Sequence, residues 1–200
     1  MQVRCASLHV ELLAFGCRDR RLTSLPAYLE GVLGDALTTS LVDQSILQAL
    51  HELAPEVERG CRELLALPVP ESLVHGDFHN GNVAVTASGH VLFDWSDASL
   101  SHPFFDLAVA LGGAEHPVAP AHRQPLLDAY LEPWQSAGYG DRAQIERALE
   151  IALRLGPLYH AVSYHQILHC CGKASRTELE PALRELLALG ARLLTSGLGA

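Results

Sequence analysis

The sequence is short of positive charge. Its 200 residues hold 14 lysines and arginines against 23 aspartates and glutamates, a formal net charge of −9, and the one lysine is Lys173. An acidic chain repels nucleic-acid phosphates and anionic lipid headgroups, so the expectation is no nucleic-acid partner and no membrane partner. A cationic small molecule is weakly favoured, although the plainer role of the charge is solubility. Long apolar runs are also missing. The stretch near the N-terminus is too short to span a bilayer, and it lacks the basic, apolar, small-residue order of a signal peptide. The five cysteines (Cys5, Cys17, Cys61, Cys170 and Cys171) are odd in number, and their spacing fits no zinc ribbon or disulfide framework. Reduced thiols and a cytoplasmic location are the simplest reading. With 48% hydrophobic and 18% charged residues and no repeat or low-complexity tract, the chain is globular and long enough for a sizeable core.

What is present is mostly helical pattern. Leu8, Leu12, Leu13 and Phe15 predict a helix closed by Gly16, and Ser24 with Pro26 predicts the start of another over Leu25 to Leu33. Apolar residues recur at helical spacing from Asp43 to Leu67, with Pro55 dividing the run and Pro68 and Pro70 ending it. The pattern changes at Ser72. Leu73-Val74-His75, Asn82-Val83-Ala84-Val85 and His90-Val91-Leu92-Phe93 are short and β-prone, and Ala87-Ser88-Gly89 reads as a hairpin turn between the last two. Helical periodicity then returns over 104–112, 120–136, 142–155, 157–170 and 178–194, punctuated by glycines. The fold class is therefore α+β, mainly α, with a small β-hairpin. Residues 1–70 form a helical subdomain, 71–106 a core that carries the chemistry, and 107–200 a second helical subdomain. Polar loops on a rigid scaffold are where sites tend to lie, which directs attention to the β patch.

Asp77 and Asn82 stand five apart on a loop between two β segments, and Asp94 ends the next strand. A hairpin brings its outer ends together, so Asn82 and Asp94 are expected to be neighbours. An amide oxygen beside a carboxylate suits a hard cation such as Mg²⁺. Asp77 at the edge of that site would be a base or an orienting group, and Gly76 and Gly81 let the backbone turn around it.

His75-Gly76-Asp77 followed by Asn82 has the spacing of the protein-kinase catalytic loop. With glycine at the centre, the run HGDFHNGNV, then FDW (Phe93-Asp94-Trp95), then HPFFDLA from His102, resembles the aminoglycoside phosphotransferase and choline kinase group of the protein-kinase-like fold. The resemblance implies a helical C-terminal catalytic lobe and transfer of the γ-phosphoryl group of ATP or GTP to a hydroxyl of a small molecule, with Mg²⁺. It implies Asp77 as the catalytic aspartate, Asn82 and Asp94 as metal ligands, His75 as structural support, and Asp106 as the buried aspartate that holds the loop backbone. The acceptor could be an aminoglycoside or another amino or sugar alcohol.

The family's first lobe is a sheet with a glycine-rich loop and a nucleotide-binding lysine, and it takes about a hundred residues. Here 74 residues precede His75, they read as helices, no G-x-G-x-x-G precedes the loop, and the lysine lies far downstream. Arg4, Arg18, Arg20 and Arg21 do not sit in a strand-like context. The expectation is a chain without its nucleotide lobe: a truncated product, one completed by another chain, or a non-catalytic remnant or binding module. A face uncovered by the missing lobe would favour a homodimer or a covering partner.

Other signals are weaker. His165 and His169 are four apart on a predicted helix, as in zinc sites, with Cys170 adjacent and His160 five before. No H-E-x-x-H accompanies them, and eleven histidines make such pairs common, so they read as ordinary helix residues. Gly76-Asp77-Phe78-His79 and Gly81-Asn82 also resemble metallophosphoesterase signatures, a minor alternative because the two pieces are fused and their partners absent. Asp97, Glu115, Asp128 and Glu132 are candidates for lining a cationic acceptor's pocket, with ordinary surface carboxylates the plainer reading. Tyr159, Tyr164 and His165 are further candidates of the same kind.

Overall fold

A computed structural model describes residues 1–87, 89–112 and 118–196. The chain divides into two compact units, the first made of Met1–Arg21 and Leu64–Leu153, the second of Leu22–Glu63 and the residues from Arg154 onward. Among the described residues no helix is long and apolar enough to cross a membrane.

The first unit opens with two short helices, α1 (Gln2–Cys5) and α2 (His9–Ala14), where the sequence pattern suggested one. The chain leaves α2 through Gly16 at φ 88°, a left-handed turn that glycine adopts without a Cβ penalty. Strand β1 (Arg18–Asp19) follows, so Arg18, unexpectedly, is in a strand. It pairs in parallel with β5 (Ser99–Ser101), which pairs antiparallel with β2 (Ser72–Val74), Leu73 facing Leu100. β5 is the middle strand of this sheet, and all three of its residues are buried. Strands β3 (Val83–Thr86) and β4 (Gly89–Leu92) form a separate hairpin with Val83 opposite Leu92 and Thr86 opposite Gly89. Ser88, which the sequence places in its turn, lies outside the described residues. Behind the strands come α7 (Phe105–Gly112) and α8 (Pro120–Ser136). Val74, Leu100, Phe104, Phe105, Leu107 and Trp134 are almost wholly buried, each such side chain contributing about 1.5–3 kcal/mol. Phe104 packs edge-on to both Tyr130 and Trp134 of α8.

The second unit holds α3 (Leu25–Gly34), α4 (Ala36–Leu41) and α5 (Gln44–Glu52), with α5 packed on α10 (Lys173–Ser196). Ser24 stands before α3 but makes no side-chain cap, whereas Asp35 caps α4 through the N–H groups of Leu37 and Thr38. Two helices, α6 (Ala54–Ala66) and α9 (Arg142–Cys170), each have residues in both units. The division of 44–66 falls at Leu53, with Pro55 in the first turn of α6.

α9 is continuous for 29 residues with Pro157 inside it, where the sequence predicted a break. A helical proline removes a backbone hydrogen bond and costs about 3 kcal/mol. Leu155, Leu158, Tyr159, Ala161 and Val162 are all buried around it, and a few such side chains offset that cost. Pro181 is carried inside α10 in the same way, and that helix begins at Lys173, earlier than its periodicity suggested.

Candidate active site

The site lies in the first unit, on the segment that leaves β2 and on the hairpin that follows. Val74 ends β2, and Gly76 turns the chain at φ 88°. A Cβ there would stand 2.9 Å from the carbonyl carbon of Asp97 and nearer still to its oxygen, so only glycine fits. The turn is held from behind by Asp106 at the start of α7. Its Oδ2 accepts the His75 N–H at 2.9 Å and its Oδ1 accepts the Gly76 N–H at 2.9 Å. Gln2 of α1 adds its amide Nε2–H to Oδ2 at 2.9 Å, and the Tyr130 hydroxyl lies 2.5 Å from Gln2 Oε1. Burial pushes the Asp106 carboxyl up to about 6, against the pull of the His75 and Gly76 backbone N–H groups and of Gln2. It is therefore a carboxylate at neutral pH, and it accepts three N–H donors.

His75 fixes the loop to the hairpin. Its Nε2 lies 2.9 Å from the Phe93 carbonyl oxygen, and its Nδ1 accepts the Asp77 N–H at 3.3 Å. Because a carbonyl only accepts and an N–H only donates, the proton sits on Nε2 and the ring is neutral in this arrangement. The ring is 98% buried and packs against Trp95, centroids 4.5 Å apart.

Asp77 is half-buried, and its carboxylate meets two neighbours. The Asn82 Nδ2–H groups reach the Asp77 carbonyl oxygen and Oδ2, each at 2.9 Å. His79 places Nε2 3.3 Å from the same Oδ2 while its Nδ1 accepts the Gly81 N–H at 3.0 Å. Of the three contacts of the Asn82 amide nitrogen, the two shorter ones are to Asp77 oxygens, which only accept, and the third is to His79 Nε2 at 3.2 Å; the two oxygens set the orientation of the amide and turn Oδ1 away from Asp77 as an acceptor. Asn82 is buried at the end of a 3₁₀ turn, Asn80–Asn82, and its backbone carbonyl accepts the Phe93 N–H at 3.1 Å. Asp94, the next residue, thus adjoins Asn82. It is exposed, its Oδ1 accepts the Ser96 hydroxyl at 2.9 Å, and its φ of 60° is the one positive value among described non-glycine residues. Such strain is held only where neighbours over-determine it, and it clusters at functional positions.

His102, three residues before α7, is fully buried, and burial drives it down to about 3. Its Nδ1 accepts the Phe104 N–H at 3.3 Å, so it stays neutral and structural. A cavity of about 210 Å³ lies behind the loop, lined by His75, Phe78, Trp95, Tyr130 and Trp134 among others. Asp77, Asn82 and Asp94 do not line it, so it is not where an acceptor would meet them.

The structure thus brings Asp77 and Asn82 into direct contact, sets Asp94 beside Asn82 through the hairpin, and places His75 and Asp106 behind them. His79 and Gln2 were not singled out by sequence reasoning. The signal for His79 was its place in the same loop; for Gln2, 104 residues from Asp106 in the chain, there was none. Of the candidate acceptor-pocket acids, Asp97 pairs with Arg18 at 3.8 Å, Asp128 pairs with Arg142 at 2.8 Å, and Glu132 accepts the Ser136 hydroxyl at 2.5 Å. Glu115 lies outside the described residues. Tyr159 is fully buried and Tyr164 partly so.

No curated protein matches the chain. A family model described as the phosphotransferase enzyme family matches residues 7–169, and the chain belongs to that family.

Proposed function

From that membership as premise, we propose that the chain supplies the base and the metal ligands for transfer of a γ-phosphoryl group from ATP or GTP to a hydroxyl of a small molecule. The observation that carries the reading is the Asn82 amide. Asp77 occupies its nitrogen at 2.9 Å and leaves Oδ1 as an oxygen acceptor on a residue whose backbone bonds Phe93, the neighbour of the exposed Asp94. An all-oxygen pair suits Mg²⁺, which takes one or two protein oxygens and keeps water or phosphate for the rest. Bound there, the ion would neutralise phosphate charge in the transition state. The chain's own residues do the remainder. Asn82 and Asp94 fix where the phosphates lie. Asp77 accepts the proton of the acceptor hydroxyl, and His79 and Asn82 hold the carboxylate oriented for it. His75 and Asp106 keep the loop in register.

The chain's lysine, Lys173, opens α10 in the second unit, so no lysine belongs to the unit that carries Asp77. That supports a second reading, a protein that binds Mg²⁺–nucleotide or a small molecule without transfer. Calorimetric titration with Mg²⁺–ATP and Mg²⁺–GTP, on this chain and on Asp94→Ala, tests the site. Metal-dependent binding that disappears in the variant supports it, and binding equal in both proteins sinks the assignment of Asp94. Where transfer is seen, Asp77→Ala should lower turnover by about 10²–10⁴ without moving the thermal midpoint. Nucleotide binding with no transfer to any hydroxyl acceptor would favour the second reading.

A further inference from the structure

We propose that Asp35, His165 and His169, in the second unit, form a binding site for a divalent transition metal of the zinc class. His165 and His169 sit one turn apart on α9, and Asp35 lies at the junction of α3 and α4, 134 residues from His169 in the chain. The histidine pair is visible in the sequence; the carboxylate that completes it is brought in by the fold.

The three ligand atoms form a nearly equilateral triangle. His169 Nε2 lies 3.2 Å from Asp35 Oδ1, His165 Nε2 lies 3.3 Å from the same oxygen, and the two Nε2 atoms are 3.2 Å apart. Tetrahedral zinc, with bonds of about 2.0–2.1 Å, separates its ligand atoms by about 3.3–3.4 Å. The triangle therefore has the size of one face of such a coordination shell. Two imidazoles and one carboxylate are the donor set of zinc and its neighbours and are foreign to Mg²⁺ or Ca²⁺.

Without a cation, the three atoms crowd together at contacts longer than good charge-assisted hydrogen bonds. If both Nε2 atoms carry hydrogen, both must donate to the one Asp35 oxygen, at 3.2 and 3.3 Å, with the two nitrogens only 3.2 Å apart. If either lacks it, a nitrogen lone pair faces a carboxylate oxygen at 3.2 or 3.3 Å. A metal ion at the centre makes all three contacts attractive.

The surroundings fit. Asp35 Oδ1 also accepts the Leu37 N–H at 2.9 Å, so the α4 cap fixes the carboxylate's orientation, as partners of a metal ligand commonly do. The His169 side chain is 47% exposed, which leaves the fourth position open to water. A metal here ties the last turns of α9 to the start of α4.

The test is zinc affinity of the full chain, kept reduced, by competition with a chromogenic chelator. The expected result is one equivalent that is lost in His165→Gln/His169→Gln. Asp35→Asn, which keeps a competent helix cap, should weaken it by at least the roughly 10–100-fold that loss of a lesser partner costs. Zinc at about a hundred times its dissociation constant should raise the thermal midpoint of the parent chain by about 5–10 °C and leave the double variant unmoved. Circular dichroism checks that the variants are folded. A parent chain that takes up no zinc overturns the proposal, as does an equivalent that survives in the folded double variant, since it would then reside on other histidines or cysteines.

Discussion

Replacing Gly76 by alanine should damage the loop in two ways that can be measured separately. The residue's φ of 88° lies in the left-handed region, which costs a residue with a Cβ about 1–2 kcal/mol. The new Cβ would also stand 2.9 Å from the carbonyl carbon and 3.0 Å from the Cβ of Asp97, with the carbonyl oxygen closer still. Those are largely backbone atoms, so no rotamer change relieves the contact. Restoring ordinary separation means that the segment around Asp97 backs away by at least about 0.5 Å in a close-packed surround. That segment leads from Asp94 into β5, the buried middle strand of its sheet. Overpacking of this kind costs about 1–3 kcal/mol, giving about 2–5 kcal/mol in total for Gly76→Ala. Gly138 supplies the control: its φ is 81°, and a Cβ there meets nothing within 4 Å. Gly138→Ala should cost only the backbone term of about 1–2 kcal/mol. Urea unfolding followed by tryptophan fluorescence compares the two, Trp95 and Trp134 both lying in the same unit. Equal destabilisation by the two substitutions would refute the account of Gly76 as a position fixed by close approach.

In the second unit, a Cβ on Gly190 would meet the Leu158 side chain, Cγ at 2.7 Å, where Leu158 is fully buried; Gly190→Ala should cost about 1–3 kcal/mol in the same assay. His102 and Asp106 should impose opposite pH dependences on stability. His102 falls from 6.5 to about 3 on folding, so below pH 6.5 the unfolded chain binds the extra proton and stability drops on acidification, by up to about 5 kcal/mol near pH 3. Asp106 rises from 3.8 to about 6, so between those values the folded chain holds the extra proton, and stability increases on acidification by about 3 kcal/mol. The two nearly cancel from pH 6 to 4, and His102 prevails below. Asp106→Asn removes the opposing group. Its unfolding free energy from urea titration should decline steadily on acidification from pH 6.5, by about 1.4 kcal/mol per pH unit, where the parent stays flat from pH 6 to 4; a parallel pair of curves would show that these two groups do not govern the region.

The hairpin was legible because its signals are local. Alternating β-branched residues, a turn and a matching span on each side suffice to set Val83 opposite Leu92, and the neighbourhood of Asn82 and Asp94 follows from that register. β1 and β5 were not legible, since Arg18-Asp19 and Ser99-Leu100-Ser101 carry no hydrophobic run. They are strands because partners distant in sequence pair with them, and burial of Leu100 holds the arrangement. The break expected at Pro157 failed for a related reason: proline's cost is a local term, and the buried side chains around it belong to the packed core. The pull of Gln2 on Asp106 and the approach of Asp35 to His165 and His169 are likewise products of tertiary structure, with no trace in spacing.

The site divides its labour between buried and accessible groups. His75, Asp106 and Asn82 are at least 93% buried, whereas Asp77 is half-exposed and Asp94 exposed. The buried members have their hydrogen-bonding groups largely committed to the loop: His75 to Phe93 and Asp77, Asp106 to two backbone N–H groups and Gln2, the Asn82 nitrogen to Asp77. Removing one leaves buried N–H or C=O groups unpaired, at about 1–3 kcal/mol each, so a substitution there must alter stability and ligand geometry together. Asp77 exposes more of its carboxylate, and of the buried groups that carboxylate meets only the Asn82 amide, which keeps the Asp77 backbone carbonyl as a partner. If the loop is scaffold at the back and chemistry at the front, variants of the buried residues will shift the unfolding midpoint and metal-dependent nucleotide affinity in proportion, while Asp77 variants fall off that line.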